Sequence, residues 1–175
     1  MATPQMKLLS RAADVPEYVS PEVGADGRAT IRLFHPGARN VWCEGEWGDW
    51  APVEMRRDEK GMWSCTTGAL APDLYEYRLY ADGAGVIDAQ NAATKNRFTS
   101  FLRVGTGAIF DARDVPHGAV HAHWYHSAVT GATRRMHVYT PPGYAAEREY
   151  PVLYLLHGAG DDDEAWVRTG RVNFI

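Results

Sequence analysis

Between Ala29 and Val104, short runs of alternating apolar and polar residues are separated by turn residues, and this pattern leaves few folds open. "TIRLF" sets Ile31 and Leu33 against Thr30 and Arg32, and "NVWCEG" puts Val41 and Cys43 on one face. "MWSCTT" around Trp63 follows. In "LYEYRLYADG", Tyr75, Tyr77 and Leu79 share one face while Glu76 and Arg78 share the other. "RFTSFLRV", Arg97 to Val104, reads as a further strand. A period of two marks half-buried strands, because successive side chains point to opposite faces of a sheet. The turns come from "ADG" at 25–27, "HPG" at 35–37, "DEKG" at 58–61 and "ADGAG" at 81–85, where Gly, Pro and Asp supply the needed backbone angles. No helical period interrupts the series. The pattern predicts an antiparallel, immunoglobulin-like β-sandwich over residues 26–112, preceded by a tail at 1–25.

"GTG" at 105–107 and "DVPHG" at 114–118 end this pattern, and residues 113–118 read as a linker bent at Pro116. A second unit, 119–175, opens with two strands, "AVHAHWYHS" and "TRRMHVYTPPGY", joined by a tight turn at Val129 to Gly131. "YPVLYLL", Tyr150 to Leu156, lacks polar alternation. Such a run suits a strand buried on both faces, as in a parallel α/β sheet. Gly158 and Gly160 allow a sharp exit. A helix is expected to start within "DDDEAW", with Asp161 and Glu164 at capping-pair spacing and the acidic cluster at the positive end of the helix dipole. The fold class is therefore mainly β: the sandwich, then the first strands of an incomplete α/β-hydrolase domain.

Net charge is −4 and the pI is about 5.9. That balance speaks against a nucleic-acid partner, which calls for a basic patch. No run is long and apolar enough for a signal-peptide core or a membrane span, so no membrane partner is expected and the chain reads as cytoplasmic as written, or secreted if a leader was removed. Cys43 and Cys65 are read either as two buried thiols or as a cross-strand disulfide, since two cysteines make no framework.

"GEWGDWAPVEMRRDEKGMW" with "LYEYRLYADG" resembles the family-48 carbohydrate-binding modules, early-set immunoglobulin-like domains. "VPHGAVHAHWYHSAVTGATRRMHVYTPPGY" with "YPVLYLLHGAGDDDEAW" resembles the feruloyl esterase and esterase D-like α/β-hydrolases. Together they span about residues 20–175 in the order of a feruloyl esterase carrying an N-terminal β-sandwich. The resemblance implies serine acylation and water deacylation with no cofactor and no metal. It also implies a polysaccharide or sugar-ester substrate, such as feruloylated or acetylated xylan. The nucleophile, acid and base of such enzymes lie downstream of the loop at 157–160. None of the five serines, Ser10, Ser20, Ser64, Ser100 and Ser127, sits in a Gly-x-Ser-x-Gly elbow. The chain thus reads as the N-terminal portion of such an enzyme, inactive alone and partnered by a C-terminal esterase part.

By the same resemblance the backbone N–H of Ala159, or that of Gly160, is one oxyanion-hole donor, and His157 and Gly158 shape the loop. The plainer reading is a strand-to-helix turn. "DDDE" at 161–164 reads as a solvated cluster rather than a hard-metal site, and "HAHWYH" makes a weak zinc case, since His121 and His123 share a strand face and His126 does not. Trp50 and Arg78 stand where glycogen-binding relatives carry a stacking Trp and a basic contact. The second Trp of those relatives, expected near Gly85 or Val86, is missing. Two roles for the sandwich follow: a scaffold beside the esterase cleft, or a carbohydrate-binding module for glucan or xylan.

Overall fold

The alternating runs become strands of two packed sheets. The computed structural model describes residues 15–175, and the chain divides into two units, Met1–Gly105 and Thr106–Ile175. Most of the tail read over residues 1–25 lies outside the described residues. Its end does not stay loose: Glu22–Val23 forms strand β1, and Ser20 is buried.

In the first unit, β2 (Ala29–Phe34) pairs with β1 and with β6 (Met62–Thr66), which also pairs with β5 (Arg56–Arg57). The second sheet is built on β7 (Asp73–Ala81). One edge of β7 pairs with β3 (Val41–Gly45), which in turn takes β4 (Val53–Glu54). The other edge is shared by β8 (Ala84–Val86) and β9 (Ser100–Val104). Every pairing is antiparallel, and the unit is an immunoglobulin-like β-sandwich.

Its core is the inward half of each alternation. Ala29, Ile31 and Leu33 from β2 and Trp63 from β6 meet Val41 and Cys43 from β3, Tyr77, Leu79 and Ala81 from β7, and Leu102 and Val104 from β9. Burying the Ile, Leu and Val side chains among these is worth about 1.5–3 kcal/mol each. Trp63 also donates its indole N–H to the His35 carbonyl at 3.0 Å, so its polar edge is satisfied. Two turns show why their sequences were needed. At 58–61, Asp58 Oδ1 accepts from the N–H groups of Lys60 and Met62. Gly61 has φ +86°, and a Cβ there would stand 2.6 Å from Pro36 Cα. The β7–β8 hairpin turns on Asp82 and Gly83, φ +49° and +86°, the Asp-Gly pair that a two-residue hairpin favours.

"RFTSFLRV" forms a shorter strand than expected. It pairs only from Ser100, because Asn96 Oδ1 caps the N–H groups of Phe98 and Thr99 and turns the chain before the ladder begins.

In the second unit, β10 (Ala119–Ser127) and β11 (Ala132–Thr140) pair over their whole length. The connection runs 128–131, one residue longer than the expected turn, with Gly131 at φ +64° donating to the Ser127 carbonyl. Residues 150–157 carry no strand pairing. The expected buried strand is instead exposed, Val152 to Leu156 being 41% to 87% accessible. A strand exists only through neighbours that take its backbone groups, and among the described residues none lies beside this run. The helix is also later and shorter than expected: α1 spans Ala165–Arg168, with Glu164 at the N-cap and no side-chain cap bond, so Asp161 does not act as its cap. No α/β-hydrolase domain is visible among the described residues.

Candidate functional site

The outward half of the β3 and β7 alternation forms a polar and aromatic face. Trp42 and Tyr80 are register partners, and their rings stack at 5.3 Å and 14°. Two residue pairs along, on the same face, Glu44 is opposite Arg78. Glu44 Oε1 accepts from Tyr80 Oη at 2.8 Å and pairs with Arg78 Nη1 at 3.4 Å, while Arg78 Nε donates to Thr99 Oγ1 at 3.2 Å. The Glu44 hydrogen bond raises the Tyr80 phenol above its ordinary value. These bonds fix the guanidinium in place.

Trp50 reaches the same face from a turn. A 3-10 turn at Glu46–Gly48 ends with Asp49 and Trp50 both in the left-handed region, φ +50° and +62°. The Trp50 N–H closes back on the Gly45 carbonyl at 3.1 Å. This reversal separates the two tryptophans of "EWGDW". Trp47 lies against Tyr75, Tyr77 and the bare backbone of Gly45, where a Cβ would meet its ring at 2.5 Å. Trp50 instead lies beneath Arg78, whose guanidinium carbon is 4.4 Å from the ring centroid. The two residues picked out from the sequence therefore meet.

Beside them runs an open groove of about 350 Å³ lined by Arg78, Tyr80, Gly85, Asn96, Phe98 and Thr99. Phe98 is 50% exposed. It lies over Gly85, where a Cβ would come within 3.1 Å of its ring. An aromatic ring thus occupies the neighbourhood in which a second Trp was expected, but it comes from the loop before β9. Arg97 lies 5.9 Å from the same ring. Sequence reasoning missed Phe98, Glu44 and Tyr80. The outward alternation of β3 and β7 signals the last two. Phe98 carried no such signal, because it stood inside a run read as strand.

In the second unit the loop at 157–160 is exposed. The His157 ring pairs through Nδ1 with the Gly158 carbonyl at 2.9 Å, the Asp161 N–H donates to the same carbonyl at 3.2 Å, and Gly160 has φ +82°. Trp166 ties the start of the loop by donating to the Leu156 carbonyl at 2.9 Å. Ala159 is exposed among these residues. The acidic run after the loop is not simply solvated. Arg135 on β11 forks onto Asp163 at 2.7 and 3.0 Å and reaches Glu164 at 2.8 Å, and His137 Nδ1 lies 3.1 Å from Asp163 Oδ2. The Arg135 hydrogen bond holds the Asp163 carboxyl below its usual range. Asp162 and Glu164 also pair with Arg168. These contacts anchor the segment after the loop to the hairpin. His121 and His123 lie 6.2 Å apart, and His121 Nε2 bonds Thr140 Oγ1. Among the described residues no group of three or more His, Cys, Asp or Glu is placed to hold a metal ion.

No family model matches the chain. The chain is 29% identical over 187 aligned residues to a curated endo-1,4-beta-xylanase/feruloyl esterase of Xylanibacter ruminicola. That alignment covers 98% of this chain and 25% of the relative, so the chain spans about a quarter of the relative's length. Among solved structures, a putative alpha amylase from Salmonella typhimurium matches 51% of this chain and 15% of its own, at 21% identity and TM-score 0.42. A pullulanase from Paenibacillus barengoltzii, in complex with maltohexaose and alpha-cyclodextrin, matches 49% of this chain and 14% of its own, at 23% identity and TM-score 0.37.

Proposed function

We propose that this chain is the N-terminal portion of a carboxylic ester hydrolase of the feruloyl or acetylxylan type. It would act on plant polysaccharide esters, with a family-48-like sandwich at 26–112 ahead of the esterase region at 119–175. The observation that carries the reading is the likeness to a xylanase/feruloyl esterase, which runs through both units rather than through the sandwich alone. It supports a polysaccharide-related role for the whole stretch. In this reading the Ala159 N–H, or that of Gly160, is one oxyanion-hole donor, and Arg135 holds the segment behind it through Asp163. Such a donor is worth about 2.7–4 kcal/mol to acyl transfer when aimed at the developing charge. The reaction also needs an activated nucleophile and its base. No Gly-x-Ser-x-Gly is present in the sequence. The purified chain is therefore expected to hydrolyse neither methyl ferulate nor a p-nitrophenyl ester above background. Addition of the proposed C-terminal esterase part should restore turnover. Saturable turnover by the chain alone, blocked by a serine-directed reagent, would refute the reading.

The groove on the sandwich favours a second reading, a carbohydrate-binding module for glucan or xylan. The Phe98 ring lines the groove with Arg78 and Asn96, and the Trp50 ring lies beneath the same Arg78, the mixture of apolar faces and placed polar groups that ligand sites show. Phe98→Ala should weaken binding to soluble xylan or glucan about tenfold, the worth of one ring contact of about 1.4 kcal/mol. Phe98 is half exposed, so the melting temperature should barely move. Affinity electrophoresis checks this. Equal retardation of wild type and Phe98→Ala would leave the sandwich as a scaffold.

A further inference from the structure

The groove beside Arg78 has no acidic side chain in its lining, although the whole chain carries a net charge of −4. Its side chains offer donors and few acceptors. Asn96 Oδ1 already accepts from the N–H groups of Phe98 and Thr99, at 2.8 and 2.9 Å, which uses both of its lone pairs. The Asn96 NH2 group has no partner among the described residues. Thr99 is 1% exposed and its Oγ1 accepts from Arg78 Nε, while the Tyr80 hydroxyl is turned to Glu44. The Arg78 guanidinium is only loosely neutralised. Its side chain is 40% exposed and its contact with Glu44 is 3.4 Å long, whereas a tight charge-assisted bond measures about 2.7–2.9 Å. Arg97 is exposed, meets no carboxylate among the described residues, and brings a second guanidinium to the Phe98 ring at 5.9 Å. Its neighbour Lys95 is by contrast paired with Glu76 at 2.8 Å.

We propose that this groove takes an acidic sugar, a uronate carried as a substituent on a plant polysaccharide. Its carboxylate meets the donors of Arg78 and Asn96, its ring lies against Phe98, and Arg97 adds attraction at the rim. The inference rests on the reading of the sandwich as a carbohydrate-binding module and names the sugar that it takes. The chemistry of the two kinds of sugar decides between them. A neutral sugar hydroxyl both donates and accepts, so a groove with its acceptors already engaged leaves half of that capacity unmet. A carboxylate only accepts, and its bonds to a guanidinium are roughly twice as strong as neutral ones. The net charge of the chain opposes an acidic polymer, so a preference for one has to come from local cations such as these.

The test is titration calorimetry of the 175-residue chain with a glucuronic acid-substituted xylan, and with the same polymer after its carboxyl groups are reduced to alcohols. At low salt the acidic polymer should bind about tenfold tighter than its reduced form. The difference should shrink as salt is added, because these cations are exposed. Arg78→Gln should abolish the preference. Arg97→Gln should reduce it about threefold with the melting temperature unchanged, and it keeps the test sound even if loss of the Arg78 bonds disturbs the fold. Equal, measurable binding of both polymers would overturn the acidic-sugar proposal and leave the carbohydrate-binding reading standing. Binding of neither would overturn both. A preference undiminished in Arg97→Gln, or insensitive to salt, would also overturn the proposal.

Discussion

In urea melts, Asp88→Ala is expected to cost the sandwich about 3 kcal/mol, a large share of the 5–15 kcal/mol that hold a domain folded. Asp88 is 1% exposed. Its Oδ2 accepts from Ser20 Oγ at 2.6 Å and from Tyr77 Oη at 2.7 Å, and its Oδ1 accepts from the Gln90 N–H at 3.0 Å. Ser20 Oγ in turn accepts from the Arg32 N–H on β2, and Tyr77 Oη accepts from Asn91 Nδ2, which also reaches the Phe101 carbonyl. One carboxylate therefore joins the chain before β1, the centre of β7 and the loop after β8. Burial, and then the Asp88 charge, push the Tyr77 phenol well above its ordinary value, so it stays a donor at any working pH. Removing the carboxylate strands two buried hydroxyl donors, at about 1 kcal/mol or more each, and frees the part-buried Gln90 N–H. Tyr77→Phe deletes one donor and leaves Asn91 its Phe101 bond, so its cost should be nearer 1 kcal/mol. If Asp88→Ala unfolds within about 1 kcal/mol of wild type, water replaces the network and this account of the junction fails.

Asp88 also shows where sequence reading stopped. It stands in "VIDAQN", a stretch with no period, and what makes it central is the distance along the chain of its partners, 68 residues to Ser20 and 11 to Tyr77. Periodicity reports which side of a strand faces the core, and there it worked. The residues assigned inward on β2, β3 and β7 form the core, apart from Tyr75, which packs at its edge. It says nothing about residues outside strands. The pair "EWGDW" is a local case: two left-handed residues send Trp47 to the core and Trp50 to the outer face, and no alternation rule covers such a turn.

The candidate site was legible where it lies on regular strands. Arg78 is one step out of phase with the buried Tyr77 and Leu79, so its outward direction follows from the strand itself. That same step places Glu44 and Tyr80 around it. Phe98 follows a different logic. Asn96 caps the backbone at Phe98 and Thr99, the strand begins only at Ser100, and the ring falls over a glycine on β8. Nothing in "KNRFTS" encodes Gly85 as its neighbour. The acidic run after the loop was half legible. Its charge was plain, but Arg135 precedes Asp163 by 28 residues, so the anchoring pair depends on the hairpin bringing β11 alongside.

Amide hydrogen exchange is expected to divide the chain sharply. The N–H groups of Val152 to His157 should exchange near the intrinsic rate, and those of β2, β3 and β7 at least about a thousandfold more slowly. Exchange is slowed by hydrogen bonds that open only with the structure around them. The sandwich strands have ladders on a buried core, with Ile31, Val41 and Tyr77 each 0% exposed. Residues 152–157 have no ladder among the described residues, and Pro151 before them carries no N–H at all. The β10–β11 hairpin should fall between. Its nine residue pairs are in register, but most of its side chains are exposed, and a two-stranded ribbon is marginally stable without a packed face. The run from Val152 to Leu156 is apolar throughout, so its exposure leaves hydrophobic surface in water. That arrangement favours association as concentration rises. It also gives the proposed esterase reading a physical readout that needs no turnover. Strands added on either side of 152–157 would take up its backbone groups and slow its exchange by the same mechanism that protects β7. The measurement is exchange of the 175-residue chain, dilute enough to be monomeric, with and without the proposed C-terminal esterase part. Slow exchange across 152–157 in the monomer alone would show that the segment already has a partner strand, and the exposed arrangement described for it would be wrong.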